Sequence, residues 1–196
     1  MEINRLDVYP HNFSEKIGYS EVRHLLEEYC ASSLGREEMQ ALEASADKED
    51  IVRALDETRE MITIMAGESP LPSLALVDCR DVLRRIRPQG TFIEEEELLD
   101  LLRMLETLHS LQRFFLEEHT TGERAAETFA YTYPRLASLL EDTPSFPKIE
   151  THLRSLLTEE GKLRDNASRD LLRIRQTIRE TERSLSGMLQ RILSTA

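Results

Sequence analysis

The sequence contains no tryptophan and only seven glycines and seven prolines among its 196 residues. No two of the glycines lie within six residues of one another. A phosphate-binding loop needs closely spaced glycines, because only then can several backbone N–H groups approach the phosphates. The spacing therefore excludes a Walker loop and a GxGxxG turn, and we expect no nucleotide-binding site in this chain.

Residues that usually carry catalysis or bind metal ions are few and lack the required spacing. Cys30 and Cys79 have no partner motif, so each is expected to be a buried free thiol. None of the five histidines forms an HExxH motif or an i, i+4 pair, and His119 and His152 are expected to be solvated on helix surfaces. A GxSxG nucleophile elbow is also missing. We therefore expect no catalytic, cofactor-binding or metal-binding residues.

Long apolar runs are missing too. No run approaches the roughly 18 residues that a membrane-spanning helix needs. The first residues, Met1–Arg5, lack the features of a signal peptide. Both observations predict a soluble, cytoplasmic protein without a membrane partner.

What the chain does contain is typical of helices. Charged residues make up 32% of it, against roughly 25% in an average domain, and leucine, glutamate, arginine and alanine are abundant. Ser20, Asp47 and Ser168 are predicted to cap helices, since each precedes apolar residues at helical spacing. The strongest pattern opens at Thr91 and predicts a helix of roughly 25 residues. Its acidic run, Glu94–Glu97, points around the axis and is therefore predicted to stabilise the helix N-terminus rather than to form a site.

The last predicted helix has the pattern of a coiled coil. Its apolar stripe follows alternating steps of three and four residues, through Leu171, Ile174, Ile178, Thr181, Leu185, Met188 and Ile192. No glycine or proline terminates the pattern, so we expect either a longer helical arm or a frayed end. The sequence therefore predicts an all-α fold with a helical core over residues 1–160 and the start of a long arm over residues 161–196.

Positive charge is concentrated at the end of an acidic chain. The net charge is −12, yet residues 163–196 hold seven arginines against four acidic residues. Arg175, Arg179 and Arg183 are spaced by four and Arg173 lies on a neighbouring stripe, so they could contact phosphates without reading a base sequence. The alternative is a solvated flank of a coiled coil, with Arg179 and Arg183 paired to Glu180, Glu182 or a partner helix. The candidate nucleic-acid-binding residues are Arg173, Arg175, Arg179 and Arg183.

Several segments resemble one known family. Residues 158–175 read TEEGKLRDNASRDLLRIR, and Phe13–Ile17 and Cys30–Glu37 stand near the start. Asp78, Asp81 and Leu83, and the Gly90–Ile93 turn before a long helix, also agree. In their order and spacing these segments resemble the second bacterial MutS family, the MutS-like proteins with a C-terminal Smr nuclease domain.

The resemblance implies a function that composition and spacing do not. Members of that family are bacterial, dimeric, DNA-binding ATPases and endonucleases, associated with recombination control, DNA repair and ribosome rescue. Their helical core and lever region supports a clamp and connects to an ATPase domain that uses ATP and Mg²⁺. By resemblance, this chain is a non-catalytic core and lever fragment, its partners are the clamp and ATPase domains of the same parent, and DNA or the ribosome is a further candidate partner.

The chain has no Walker motif, clamp or Smr domain, so neither ATP hydrolysis nor nuclease activity is carried over to any residue here. A standalone helical module that dimerises through its last helix is the alternative.

Overall fold

The computed structural model is built from helices, which confirms the predicted all-α fold. It describes residues 9–10, 12–67, 71–116, 118–119, 127–128 and 132–195. The helices in these ranges are α1 Phe13–Lys16, α2 Tyr19–Glu28, α3 Ser33–Ala41, α4 Lys48–Ala66, α5 Arg80–Arg85, α6 Glu95–Leu116, α7 Pro134–Glu141, α8 Pro147–Leu156 and α9 Arg169–Thr195. Two strands of two residues each, β1 Glu118–His119 and β2 Glu127–Thr128, pair in antiparallel register.

Two of the three predicted capping residues are confirmed. The Asp47 side chain accepts hydrogen bonds from the N–H groups of Glu49 and Asp50, and α4 begins at the next residue. The Ser168 hydroxyl accepts the Leu171 N–H at 3.1 Å, one residue before α9 begins. The prediction that Ser20 caps a helix is wrong, because α2 already begins at Tyr19. Its first turn follows Gly18, whose φ of 72° ends α1 in the left-handed region that glycine tolerates.

Helix α6 begins later than Thr91 and is the longest helix of the core. The Thr91 hydroxyl instead bonds the Pro88 carbonyl, and the first helical residue is Glu95. The Glu97 carboxylate folds back to accept the Glu94 N–H at 2.9 Å, which satisfies a donor left free at the helix start. This bond, and next the Arg85 guanidinium, lower the pKa of Glu97. The predicted helix-start role of the acidic run is therefore confirmed.

The core consists of two apolar clusters arranged along α6. Near its C-terminal end, Phe115 packs with Ile64 of α4 and with residues of α7. Nearer its start, Leu102 and Leu105 pack against Leu153 of α8 and the residue that follows that helix. Helix α6 therefore holds α4, α7 and α8 together, and its apolar residues are needed on more than one side.

The first three helices and the last one lie largely outside these clusters. Helices α1–α3 pack on one another but contain no buried residue. Helix α3 is joined to the rest by Arg80, whose guanidinium binds Glu37 at 2.7 Å and Asp78 at 2.6 Å. Helix α9 exposes much of its length and is reached from α8 through residues 157–168, which we call the strap.

The strap makes a tight turn against α6. The Thr158 N–H donates to the Lys162 carbonyl at 2.8 Å, and Leu157 and Leu163 form an antiparallel bridge. Between them Gly161 adopts a φ of 80° and is buried beside Leu99. The turn brings the chain back to the first turn of α6 before α9 begins.

Candidate nucleic-acid interface

Helix α9 carries its apolar stripe and its arginine ridge on different faces. Its 27 residues extend about 40 Å. Arg175, Arg179 and Arg183 are rotated by about 100° to 180° around the axis from Ile174, at 100° per residue. Ile174 and Ile178 expose about half of their side chains, at 52% and 49%. The two faces can therefore make separate contacts.

One carboxylate bridges two of the predicted arginines. Arg175 Nη1 lies 2.6 Å from Asp165 Oδ1, and Arg179 Nη1 lies 2.7 Å from Asp165 Oδ2. Arg175 Nη1 also donates to the Leu163 carbonyl at 3.0 Å. We call this group of Asp165, Arg175 and Arg179 the Asp165 clasp. It joins the second and third turns of α9 to the strap.

The clasp is linked in turn to the start of α6. The Leu163 N–H donates to the Glu95 carboxylate, while the Leu163 carbonyl accepts the bond from Arg175. A single strap residue thus connects the first turn of α6 with the base of α9. These polar contacts anchor the base of α9, a helix that fully buries none of its described residues.

The electrostatics of the clasp favour the ionised carboxylate. Hydrogen bonds from Arg175 and then from Arg179 lower the pKa of Asp165. Two guanidinium charges face one carboxylate, so the clasp keeps a net positive charge. The side chains remain about 35% to 47% exposed, which leaves the site open to solutes.

The other two predicted residues are placed differently. Arg173 lies on another side of α9, 3.7 Å from Asp170, and its side chain is 79% exposed. Arg183 continues the ridge one turn beyond Arg179 and is exposed, with no ion pair among the residues that the structure describes. The structure therefore brings Arg175 and Arg179 together on one carboxylate, places Arg183 next in line and separates Arg173 from them.

Sequence reasoning missed the partner of these arginines. It offered Glu180 or Glu182 as partners for Arg179, whereas the structure pairs Arg179 with Asp165. Asp165 is 10 residues from Arg175 and 14 from Arg179, too far for the i, i+3 or i, i+4 spacing of a helix. A signal was present, because Asp165 and Arg175 both belong to the segment that carries the family resemblance.

A second polar cluster, at a groove of about 690 Å³ between α6 and α8, was also missed. The Glu150 carboxylate lies 2.9 Å from His109 Nδ1 and 2.8 Å from Arg154 Nη2. Arg154 Nη2 also donates to Glu106 at 2.6 Å. Because the cluster pairs acidic groups with basic ones across two helices, it cross-links them. In the described ranges no group of three or more His, Cys, Asp or Glu side chains could hold a metal ion.

The remaining candidate residues are in ordinary environments. Cys79 is buried, as predicted, and burial raises the pKa of its thiol, which disfavours the nucleophilic thiolate. The prediction of burial is wrong for Cys30, which is only partly buried just after α2, a helix without buried residues. His152 is exposed on α8, as predicted, while the side chain of His119 lies outside the described residues. No helix in the part of the chain that the structure describes is long and apolar enough to cross a membrane.

The comparisons with known proteins point to the family that the sequence resembles. No protein-family model matches the chain. It is similar to proteins named Endonuclease MutS2: 31% identical over 184 residues to that of Streptococcus suis, 28% over 178 to that of Alkaliphilus oremlandii and 25% over 177 to that of Finegoldia magna. These alignments cover 92%, 91% and 90% of the chain but only 22%, 21% and 22% of the relatives. The chain thus spans about a fifth of the length of the proteins it matches and is similar to them along most of its own.

Proposed function

We propose that this chain is the helical core and lever part of a longer, MutS-like, DNA-binding ATPase. In this proposal it has no catalytic role. It couples the ATPase domain of the parent, which uses ATP and Mg²⁺, to a clamp around nucleic acid. The parent is a bacterial, cytoplasmic, homodimeric protein that acts in recombination control, DNA repair or ribosome rescue, and its nuclease activity belongs to another domain.

The observation that carries the proposal is similarity along about 90% of this chain to only a fifth of each Endonuclease MutS2 protein. A part of that size, built from packed helices, is suited to transmit movement. Helix α9 supports the same role, because it is long, is joined to the core by the strap and the Asp165 clasp, and exposes an apolar stripe. A small rotation at the base of a stiff helix about 40 Å long moves its far end by ångströms.

The first experiment separates this chain from its proposed parent. Isothermal titration calorimetry with Mg-ATP should show no binding to the 196-residue chain and stoichiometric binding to the product of the complete natural reading frame. The physical reason is that the glycines of this chain lie too far apart to form a loop whose backbone N–H groups could bind a triphosphate. Stoichiometric binding to the short chain would contradict the proposal. So would a natural product without a nucleotide-binding domain.

A second experiment tests the coupling in the longer product. Spin labels at Ser138→Cys on α7 and Ser184→Cys on α9, with Cys30→Ser and Cys79→Ala, report the distance between core and arm. The distance distribution should change between the ADP-bound and ATP-bound states. An identical distribution in both states would contradict the lever role even if ATP is bound.

The exposed apolar stripe favours a second candidate, a module that dimerises through α9. Ile178, Leu185 and Met188 are 49%, 55% and 53% exposed on one side of the helix. An unpartnered stripe at coiled-coil spacing is typical of a helix that pairs with another. Sedimentation of the wild-type chain should then show a dimer that Ile178→Gln with Leu185→Gln dissociates. A monomer at all concentrations would exclude the module.

A further inference from the structure

We propose that Asp165 masks a phosphate-contact surface on α9, and that a nucleic-acid backbone displaces it from Arg175 and Arg179. The inference rests on the nucleic-acid contact of the proposed parent, but not on its ATPase. It adds an autoinhibitory contact, since the clasp that anchors α9 occupies the same guanidinium groups that phosphates would bind.

The contacts place Asp165 where a phosphate would bind. Its two carboxylate oxygens each accept a hydrogen bond from a different arginine, at 2.6 and 2.7 Å. A phosphate group also presents several acceptor oxygens, and arginine binds carboxylate and phosphate with the same donor geometry. The carboxylate and a phosphate therefore compete for the same N–H donors.

The exposure of the clasp makes this competition possible. The side chains of Asp165 and Arg179 are 45% and 47% exposed, so a polyanion can reach them without unfolding the core. Exposed ion pairs are individually weak and are screened by salt. A nucleic acid instead offers a row of phosphates and gains free energy by releasing its condensed counterions. Several phosphate contacts together can therefore replace one carboxylate.

With Arg183, the row of arginines on α9 is long enough to contact several phosphates of a nucleic-acid backbone. Arg183 lies two turns from Arg175, so the three arginines span about 12 Å along the helix. One strand of a duplex carries a charge every 3.4 Å or so, which places roughly three to four phosphates beside such a ridge. Arg183 has no carboxylate partner among the described residues, so it provides a first contact while the clasp is still closed.

Displacement of Asp165 also has a mechanical consequence. Arg175 holds both Asp165 and the Leu163 carbonyl, and Leu163 bonds Glu95 of α6. When phosphates take the donors of the clasp arginines, α9 loses its side-chain bonds to Leu163 and Asp165 of the strap, while the Ser168 cap remains. Nucleic-acid contact and the orientation of the arm are therefore linked.

The test measures binding of the purified chain to fluorescein-labelled duplexes of about 20 base pairs, one DNA and one RNA, between about 50 and 200 mM salt. Asp165→Asn should bind either or both duplexes roughly two- to fivefold more tightly than wild type, because it removes the competing charge and leaves the arginines. Glu180→Gln is the matched control. Like Asp165→Asn, it removes one negative charge, but from an exposed position on α9 that has no ion pair in the described part of the chain. It should therefore change the affinity for the duplexes less than Asp165→Asn does.

Two further variants decide the interpretation. Arg175→Gln with Arg179→Gln in the Asp165→Asn chain should abolish the gain. Arg179→Gln alone keeps Asp165, so it stays informative if Asp165→Asn does not fold, and it should lower the salt slope by about 1. Equal gains in Asp165→Asn and Glu180→Gln would overturn the proposal, as would the absence of binding to both duplexes by every variant. Either result leaves the lever role standing, since that role is tested by ATP binding and arm movement in the longer product.

Discussion

At the scale of single residues, the strap depends on a glycine for two separate reasons. Gly161 has a φ of 80°, where a side chain is strained, and a Cβ there would lie 2.3 Å from Leu99 Cδ2. Gly90 has a similar φ of 88° but no heavy atom within 4 Å of its Cβ position. The two positions therefore share the backbone strain and differ in the available space.

Gly161→Ala should destabilise the protein more than Gly90→Ala. Left-handed strain costs each variant about 1 to 2 kcal/mol, and the contact with Leu99 should add about 1 to 3 kcal/mol at Gly161. Urea unfolding of both variants and the wild type measures the difference. Equal losses in the free energy of unfolding would show that Leu99 moves aside freely and that the strap is not closely packed on α6.

A second property of single residues is the response of Asp78 to acid. Its carboxylate accepts hydrogen bonds from the Arg80 side chain and backbone, which lower its pKa from 3.8 to about 2. The folded-state pKa is below the unfolded value, so the stabilisation is fully present above about pH 4. It is lost as the pH falls towards 2.

Wild type should therefore be more stable than Asp78→Asn at pH 5, and the difference should shrink as the pH falls from about 4 to 2. Free energies of unfolding, measured by urea at each pH, give this difference. The matched control is the same pair of proteins with Arg80→Gln, which removes the guanidinium, the largest cause of the pKa shift, and keeps the backbone N–H donor. A pH-dependent difference of the same size in that background would contradict the assignment.

At the scale of helices, α7 is stabilised by a residue far away in sequence. The Glu60 carboxylate of α4 accepts the Arg135 and Leu136 N–H groups at 3.1 and 2.9 Å. Pro134 fills the first position of α7, where no donor is needed. A helix of eight residues is too short to be stable alone, so this cap and the adjacent Phe115 cluster hold it in place.

Glu60→Ala should cost about 1 kcal/mol, within the range of 0.5 to 2 for a lost N-cap. Hydrogen exchange should rise first at the amides of Arg135 and Leu136, because these donors lose their acceptor. Glu57→Ala, one turn earlier on α4 and without a bond to α7 in the described residues, serves as the control. If both variants exchange alike at α7, the cap does not contribute.

At the scale of the whole molecule, α6 makes the two apolar clusters one unit. Phe115 is 3% exposed in one cluster and Leu105 is 7% exposed in the other, and both belong to the same helix. A rigid helix cannot lose its contacts at one end without affecting the other. We therefore expect the core to unfold in one transition.

Phe115→Ala should lower the free energy of unfolding by about 3 to 5 kcal/mol and Leu105→Ala by about 2 to 5 kcal/mol, each in a single transition. Ile178→Ala on exposed α9 should change it by less than about 0.5 kcal/mol. Far-ultraviolet circular dichroism and tyrosine fluorescence, followed together during urea unfolding, check the cooperativity. Two separated transitions would show that the clusters are independent.

Much of the fold could be predicted from local patterns. Asp47 and Ser168 identified helix starts because a capping side chain bonds N–H groups two or three residues away. The acidic run Glu94–Glu97 indicated the start of α6 for a similar local reason. The arginine ridge of α9 followed from its spacing of four residues, whereas its carboxylate partner did not.

The sequence by itself determined where helices form, and it showed that the glycines are too far apart for a phosphate-binding loop. Both conclusions depend only on residues within a few positions of each other. Only the tertiary structure decided which distant groups meet. It placed Glu60 at the start of α7, Glu150 beside His109 and Asp165 between Arg175 and Arg179. Those pairs depend on the path of the chain between helices, as in the strap turn at Gly161, and side-chain spacing along one helix contains no information about that path.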